Sequence, residues 1–396
     1  MRGIGAQAHT EVFAVGTHDV QVMWRSWPAT EITVEVGPVT ATAVTGPPAW
    51  LRRRGRQPVL LSGHVGGPGA LTLPGLRPGT RYQVHVAGPG IARRRVADVT
   101  TLTPPPGPVL ARFATISDLH IGESSFGALG TIEEEVPLAA GAAPYPMRSA
   151  QAAISEATAW GSQLLVVKGD LTADSEPAEF REVGQLLSRA AIPSLIALGN
   201  HDVRRRGGDA MLRSFGLLAS SGTQHFDLPG ARIITGHSPH PRQKRGYLEA
   251  AQRHELAAAA AGTDAAAIVV LHHPPQRWRW PTHYPPGLVQ GDSLRLLRQL
   301  GVANRRTVVL AGHTHRNRRY RLRGITVAEV GATKDYPGQW AGYTVYEEGL
   351  VQVVYRIEDP GVIAWTESTR LALGGIWGWW SIGERQDRCW VQAWSP

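Results

Sequence analysis

Five short segments of this sequence are rich in side chains that bind metal ions or transfer protons. They are Asp118-Leu119-His120, Gly169-Asp170, Gly199-Asn200-His201-Asp202, His272-His273-Pro274 and Gly312-His313-Thr314-His315. Each follows an apolar run that predicts a β-strand, at 113–117, 164–168, 194–198, 268–271 and 307–311. Side chains two apart at a strand end point the same way, so Asp118 should converge with His120, and His313 with His315. Ligands at the carboxyl ends of several strands indicate an active site at the edge of an α/β sheet.

The types of ligand indicate a metal site. Carboxylate oxygen and imidazole nitrogen without thiolate suit zinc, manganese, iron or cobalt. A lone carboxylate such as Asp170 can bridge two cations about 3.5–4 Å apart, the separation found in two-metal phosphoryl chemistry. Any single motif is equally well explained as a strand-end cap or an ordinary loop residue. Five of them, each after a strand, favour a metal centre with two ions.

The order D-x-H, G-D, G-N-H-D, H-H-P and G-H-x-H resembles the calcineurin-like metallophosphoesterase superfamily, and within it the class III cyclic-nucleotide phosphodiesterases. The resemblance covers 109–357 and implies an α/β fold, a four-layer α-β-β-α sandwich. It also implies two divalent or trivalent metal ions, of manganese, iron, zinc or cobalt. By this resemblance Asp118, His120 and His315 hold the first metal, Asn200, His272 and His313 hold the second, and Asp170 bridges them. His272 is preferred to His273 because the family's liganding histidine directly follows the strand.

The same resemblance implies a catalytic role for His201, which would not be a ligand. His201 would orient the substrate phosphate and protonate the leaving oxygen. The substrate contacts expected are Asn200, His201, Arg204 and His273. The implied reaction is hydrolysis of a cyclic nucleotide or related small phosphodiester by in-line attack of a metal-bound hydroxide. A phosphomonoesterase or nuclease on the same fold remains an alternative, and a non-catalytic binding protein is less favoured because no ligand is missing.

Two positions differ from other branches of the superfamily. The phosphoprotein phosphatases carry G-D-x-x-D-R-G, whereas Gly169-Asp170 is followed here by L-T-A-D-S, without the arginine that would grip a phosphomonoester. Purple acid phosphatases carry a tyrosine three residues after the bridging aspartate, where this chain has Ala173. The first difference disfavours protein phosphatase activity, and the second predicts no iron–tyrosinate colour.

Composition narrows the class of protein. The chain has 396 residues, more than the roughly 250–300 that one core supports, so a second domain is expected. Its net charge of +9 comes largely from arginine clusters such as 204–206. We interpret these clusters as an arginine-rich surface in contact with solvent. Attraction for phosphate-bearing substrates or nucleic acid is the less favoured alternative and stays open. The single Cys389 excludes an internal disulfide framework. No signal peptide or membrane span is seen, and a cytoplasmic protein is expected.

The chain divides into four parts: 1–103, a linker at 104–108, 109–357 and a tail at 358–396. The first part predicts an all-β sandwich because alternating segments are separated by Gly/Pro-rich turns. Tyr82, which opens a strand after a turn, resembles the tyrosine corner of fibronectin type III domains, with Trp24 as core tryptophan. Another small β-sandwich is the alternative. The proline-rich linker is expected to be stiff and extended.

The tail is dense in tryptophan. Its six are Trp365, Trp377, Trp379, Trp380, Trp390 and Trp394. They are expected to pack on either domain or on a second subunit, so a homo-oligomer stays open; a stacking surface for nucleobases or sugars is the minor alternative.

In the catalytic part, helices are predicted at 147–160, 177–190, 247–261 and 293–300, the last with Asp292 as N-cap. The long segment 122–146 is expected to be a loop that roofs the substrate pocket, with a disordered insertion as the alternative.

Overall fold

The computed structural model describes residues 9–61, 65–127, 131–133, 143–205, 213, 223–281 and 283–394. The strands are β1 Thr10–Val15, β2 Asp19–Trp24, β3 Glu31–Val36, β4 Val39–Val44, β5 Trp50–Arg53, β6 Val59–Leu60, β7 Gly69–Pro74, β8 Arg81–Gly88, β9 Ile91–Thr100, β10 Val109–Ile116, β11 Ser125–Phe126, β12 Ile132–Glu133, β13 Leu165–Lys168, β14 Ser194–Ala197, β15 Gln224–Leu228, β16 Ala231–Thr235, β17 Ala266–Val270, β18 Thr307–Ala311, β19 Arg318–Leu322, β20 Ile325–Glu329, β21 Gln339–Tyr346, β22 Gly349–Arg356 and β23 Cys389–Ala393. The helices are α1 Tyr145–Ala159, α2 Pro177–Ser188, α3 Ala250–Ala261, α4 Gln290–Ala303, α5 Pro360–Thr369, α6 Ile376–Ile382 and α7 Arg385–Arg388, with a 3-10 turn at Ala372–Gly375.

Two six-stranded sheets form the catalytic part of the chain. Their strand orders are β14-β13-β10-β21-β22-β23 and β15-β16-β17-β18-β20-β19. Strands β10, β13 and β14 run parallel to one another, and so do β16, β17, β18 and β20. Parallel strands end at the same edge of a sheet, so the motifs that follow β10, β13, β14, β17 and β18 are brought together.

Alternate side chains of β17 show how the layers stack. Ile268 and Val270 belong to a core shared with β10 of the other sheet and with α1 and α2. Val269 points the other way, into a second core with Leu256 of α3 and Leu297 of α4. The expected mixed α/β fold is therefore confirmed, and these contacts fit the α-β-β-α order of layers. No helix in the described part of the chain has both the length and the apolar character to cross a membrane.

The amino-terminal part is all-β, as expected. A three-stranded sheet, β1-β2-β7, faces a four-stranded sheet, β4-β3-β8-β9. Trp24 and Trp27 are buried in the core between them. The backbone N–H of Arg77 donates to the hydroxyl of Tyr82 at 3.0 Å, the kind of bond expected of a tyrosine corner.

This β-sandwich packs directly on the catalytic part. Phe13 of β1 and Met23 of β2 lie in the same core as β10 and β22. The side chain of Gln21 donates to the carbonyl of Arg356 at 2.9 Å and accepts from its N–H at 2.8 Å. Arg388 of the tail donates to the carbonyl of Phe13 at 3.0 Å. The tail is integrated too, because β23 pairs with β22 as the edge strand of the first sheet.

Short elements beside the catalytic motifs differ from the expected pattern. The segment 122–146 contains two strands, β11 and β12, and β12 pairs with β5 of the amino-terminal part. Residues 128–130 and 134–142 of that segment lie outside the described residues, as does Arg206. Helix α4 begins at Gln290, earlier than predicted, so Asp292 is in its first turn and not its N-cap. Asp292 instead accepts from the N–H of Leu248 and pairs with Arg253, which ties α4 to α3.

The shared core predicts that the amino-terminal sandwich stabilises the whole chain. Phe13 is fully buried, and the guanidinium of Arg388 lies 4.6 Å from its ring centroid. Phe13→Ala should lower the free energy of unfolding by about 3–5 kcal/mol, measured by urea denaturation. Val44→Ala, on an exposed strand position, should change it by no more than about 0.5 kcal/mol. Equal stability of the two variants would show that the shared core contributes little.

Candidate metal centre

The ligand candidates all follow strands at one edge of the two packed sheets. Asp118, Asp170, His272 and His313 are each the second residue after a strand, namely β10, β13, β17 and β18. Asn200 is the third residue after β14. The distances below bring six of the seven candidates, including His120 and His315, into one cluster, and Asn200 lines the cleft beside them.

The backbone of this cluster differs from the expectation of extended strand ends. Five ligand candidates have positive φ: Asp118 at 55°, His120 at 48°, Asp170 at 50°, His313 at 71° and His315 at 49°. Their convergence therefore comes from left-handed turns and not from the alternation of a pleated strand, which corrects the reason given from the sequence. Such a conformation costs of order 1–3 kcal/mol for a residue with a side chain. Glycine is needed beside them: a Cβ on Gly312 would lie 2.0 Å from the Ser117 hydroxyl oxygen.

One group of ligand atoms is formed by Asp118, His120 and His315, which lie within 4.8 Å of one another. Nε2 of His315 is 3.4 Å from Oδ1 of Asp118. The N–H of His313 and the hydroxyl of Ser117 both donate to the Asp118 carboxylate and hold it in place. The other ring nitrogen of His315, Nδ1, donates to Asp335 at 2.7 Å. This bond fixes the ring so that Nε2 faces the cluster.

A second group lies on the other side of Asp170. Nε2 of His272 is 3.3 Å from Oδ2 of Asp170 and 3.2 Å from Nδ1 of His313. The remaining ring nitrogens donate to carbonyls, His272 to Lys168 at 2.7 Å and His313 to Pro286 at 3.1 Å. Both rings are thus oriented with an acceptor nitrogen toward the cluster.

Asp170 joins the two groups. Its Oδ1 accepts the N–H of His201 at 2.8 Å. Its Oδ2 lies 3.5 Å from Nε2 of His120 and 3.3 Å from Nε2 of His272. One carboxylate oxygen therefore faces both groups, which is the position that a bridging ligand requires.

Unpartnered polar atoms test whether cations fit this cluster. Within the described part of the chain, the buried Oδ1 of Asn200 and both ring nitrogens of His120 make no hydrogen bond. Burying such atoms without a partner costs about 1–3 kcal/mol each. The donor set, made of nitrogen and oxygen without sulfur, fits two cations of the kind that carboxylate and imidazole bind. A ligand role would satisfy the Asn200 oxygen and one of the two ring nitrogens of His120.

The electrostatics differ among the groups of the cluster: burial holds the pKa of His120 and of His313 well below the ordinary value of histidine, whereas other groups are stabilised in their charged form by their neighbours. Burial would raise the pKa of Asp170, but His272 and His201 hold it well below its ordinary value. Burial would lower the pKa of His272, but Asp170 raises it to about 9. Burial would also lower the pKa of His315, but the carboxylates of Asp335 and Asp118 outweigh burial and raise it. Protons compete with metal ions for the same imidazole nitrogens, so metal affinity should fall at low pH.

A cleft of about 700 Å³ opens over the cluster. Asn200, His201 and Arg204, three of the four expected substrate contacts, line it. His273 is a correction: its ring is fully buried, its Nδ1 is 2.9 Å from the hydroxyl oxygen of Ser238, and it does not line the cleft. The turn after β17 places the ring of His273 4.4 Å from that of His313, where one of its ring nitrogens lies within 4.8 Å of the ligand atoms of His272 and His313.

Residues that the sequence motifs did not include also line the cleft. Phe126 comes from β11, Tyr284 from the loop before α4, and Leu373 and Trp377 from the tail. Trp377 Nε1 donates to Oδ1 of Asp335 at 3.2 Å, and Oδ2 of the same carboxylate holds His315. The tail therefore supports a ligand candidate through Asp335. The tryptophan density of the tail was the only signal for this, and nothing in the sequence around Asp335 indicated its role.

Residues 111–317 match the calcineurin-like phosphoesterase family, and the chain belongs to that family. Similar solved structures include PhoD, 11% identical with 90% of this chain and 92% of that chain covered, at a TM-score of 0.44. A purple acid phosphatase from yellow lupin (Lupinus luteus) seeds is 14% identical over 89% of this chain and 73% of that chain, at a TM-score of 0.45. A putative 5'-nucleotidase from Staphylococcus aureus is 12% identical over 63% of this chain and 54% of that chain, at a TM-score of 0.41. No curated protein matches the chain.

The bridging position of Asp170 predicts that its loss affects both metals. We expect two equivalents of metal per wild-type chain by plasma emission analysis, and well under one for Asp170→Asn. The matched control is Asp174→Asn, a more exposed carboxylate in the same loop, which should keep the wild-type content. Retention of two equivalents by Asp170→Asn would contradict the bridging role.

The contact between Asp335 and His315 predicts a smaller effect on metal affinity. Asp335→Asn removes the charge that orients the ring, and the affinity for zinc should fall by about 10–100-fold. Competition against a chelator of known affinity measures this. Asp264→Asn, at an exposed turn, should bind zinc as the wild type does. An unchanged affinity for Asp335→Asn would show that the carboxylate does not support the site.

Proposed function

We propose that this calcineurin-like phosphoesterase hydrolyses phosphodiesters, of the size of cyclic nucleotides or related small diesters, with the help of two metal ions. The proposed ligands are Asp118, His120, Asp170 and His315 for one ion and Asp170, Asn200, His272 and His313 for the other. Bound at these positions, the cations would lower the pKa of a coordinated water and neutralise charge on the phosphoryl oxygens. The observation that carries the proposal is the convergence of these side chains beneath a cleft with apolar walls.

His201 is proposed as the catalytic residue that faces the substrate. Its Nδ1 donates to the carbonyl of Ala173 at 2.8 Å, so Nε2 is the nitrogen available for other contacts. Nη2 of Arg204 lies 2.8 Å from Nε2 and donates to it. An anionic phosphoryl group in the cleft offers oxygens to both side chains. His201 would then orient that group. Burial and the Arg204 guanidinium lower the pKa of its imidazole, so the anionic phosphoryl group would have to favour the proton on Nε2 that is donated to the leaving oxygen.

The preference for diesters rests on the shape of the cleft. A diester carries organic groups on both ester oxygens, and Phe126, Leu373 and Trp377 offer an apolar wall for one of them. The volume of about 700 Å³ suits a ligand of nucleotide size. The missing arginine of G-D-x-x-D-R-G is a weaker argument than the sequence alone suggested, because Arg204 brings a guanidinium to the cleft.

Rates on matched aryl esters test this preference. We expect a higher kcat/KM for bis(p-nitrophenyl) phosphate than for p-nitrophenyl phosphate, and turnover of a cyclic nucleotide, all abolished by a chelator. A higher kcat/KM for the monoester without activity on cyclic nucleotides would favour the phosphomonoesterase alternative. Cleavage of an oligonucleotide in preference to both would favour a nuclease.

The domain division is proposed as 1–103, 104–108, 109–357 and 358–396, with a fibronectin type III-like first domain. Seven strands in a three-stranded and a four-stranded sheet support that identity, as do the buried Trp24 and the contact between Tyr82 and Arg77. The strand pairing of β12 with β5, and of β23 with β22, argues that the first and last parts fold together with the catalytic part.

The position of His201 predicts a large kinetic effect with little change in metal content. His201→Ala should lower kcat on a diester by about 10²–10⁴-fold, the usual contribution of a positioned proton-transfer group. The two metal equivalents should remain, since the side chain of His201 is not among the proposed ligands. His254→Ala, exposed on α3, is the matched control and should be fully active. Loss of metal from His201→Ala would mean that His201 is a ligand.

A further inference from the structure

The tail presents an exposed apolar surface at the lip of the cleft. Within α6, Trp377 and Trp380 turn inward and donate to Asp335 and to the carbonyl of Thr314, the latter at 3.3 Å. Ile376 and Trp379, three residues apart and so neighbours on the helix surface, point outward and are 61% and 77% exposed. Leu373, in the turn before α6, lines the cleft and is 60% exposed.

A second exposed segment also carries tryptophan. Its sequence is Arg277-Trp278-Arg279-Trp280, and the two tryptophans are 58% and 79% exposed. The segment leads to Tyr284, which lines the cleft and is 68% exposed. The loop that follows it reaches the tail, since the ring centroids of His283 and Trp380 are 6.2 Å apart. Trp278, Trp280, Tyr284, Leu373, Ile376 and Trp379 are called the aromatic rim below.

Cations accompany the aromatic rim. The guanidinium of Arg277 lies 5.2 Å from the ring centroid of Trp278, and Nζ of Lys244 lies 5.1 Å from that of Tyr284. Arg279 is also exposed. Together with the net charge of +9, these side chains favour an anionic partner.

Three kinds of partner would cover such a surface: a lipid interface, a single-stranded nucleic acid or a second copy of the chain. Tryptophan and arginine suit nucleic acid, but Leu373 and Ile376 have no π-face on which a base could stack. A second copy that paired the rim with itself would bring Arg277, Arg279 and Lys244 against their own like charges. A lipid interface accepts the aliphatic side chains among the acyl chains, tryptophan and tyrosine at the head-group level, and arginine at the phosphates.

We propose that the aromatic rim docks the protein on an anionic lipid surface, with Ile376 and Trp379 inserted and Arg277, Arg279 and Lys244 against the head groups. The cleft then opens toward the head groups, whose phosphodiesters become its accessible substrates. The docking itself is independent of the proposed hydrolysis. Only the substrate class rests on the proposed function, so the two are tested separately.

Co-sedimentation with vesicles tests the docking, without any turnover. Wild-type protein should bind vesicles of phosphatidylcholine with phosphatidylglycerol more tightly than vesicles of phosphatidylcholine alone. This difference in affinity should disappear at high salt, because salt screens the charges of the anionic lipid. The double variant Ile376→Ser/Trp379→Ser should bind about 10-fold or more weakly, because its inserted apolar area is removed. The double variant Trp278→Ser/Trp280→Ser should show a similar loss of vesicle binding.

The matched control is Val44→Ser, 75% exposed on β4 of the amino-terminal sandwich, which should bind vesicles as the wild type does. All variants should keep the wild-type midpoint of thermal unfolding and the wild-type turnover of a soluble diester, since none of the substituted residues lines the cleft. The proposal is overturned by no binding to anionic vesicles, or by equal binding of the rim variants. Two further outcomes would overturn it, each with vesicle binding unchanged. In the first, the rim variants lose binding to an oligonucleotide; in the second, they lose a dimer that sedimentation detects for the wild type.

Discussion

Asp170 has one carboxylate oxygen, Oδ2, between Nε2 of His120 at 3.5 Å and Nε2 of His272 at 3.3 Å, in a fully buried setting. A carboxylate in such a place is stable only if positive charge or hydrogen-bond donors surround it. Its other oxygen has a donor, the N–H of His201. The rest of the cluster can be understood as what surrounds Oδ2: imidazole nitrogens oriented by carbonyls and carboxylates, with space for cations between them. The need to compensate this one buried charge explains why so many basic side chains converge here.

The geometry that brings them together is strained, and the two sheets make that strain tolerable. Five ligand candidates have left-handed backbone conformations, a combined cost that a mobile loop would relieve by rearranging. Here each turn starts from a buried strand such as β10 or β18, whose ladder fixes the direction of the chain. Turn and strand are further joined by bonds such as the N–H of His313 to Asp118. The rigid sheets thus fix the positions of the ligand candidates, which would reduce the reorganisation that metal binding requires.

The sequence predicted the strands before each motif and the residues of the cluster because both depend on local patterns. An apolar run that ends in Asp118 or His313 is visible without knowledge of the fold. The left-handed turns were not predictable, since residues such as His120 give no sign of positive φ. Asp335 and His273 were missed or misassigned for another reason. Their roles depend on contacts with His315 and His313 across the fold, and no local pattern encodes which buried polar residue will lie behind a ligand.

The wall of the cleft comes from outside the catalytic motifs, and this limits what those motifs say about substrate. Phe126 stands on β11, whose partner strand β12 pairs with β5 of the amino-terminal sandwich. Trp377 comes from the tail and reaches His315 through Asp335. The family match ends at residue 317, so neither Asp335 nor Trp377 lies within it. In the proposed reaction the motifs would specify the chemistry at phosphorus, because that chemistry would require only the metals and His201. The organic group of the substrate would be selected by Phe126, Leu373 and Trp377, which belong to β11 and to the tail.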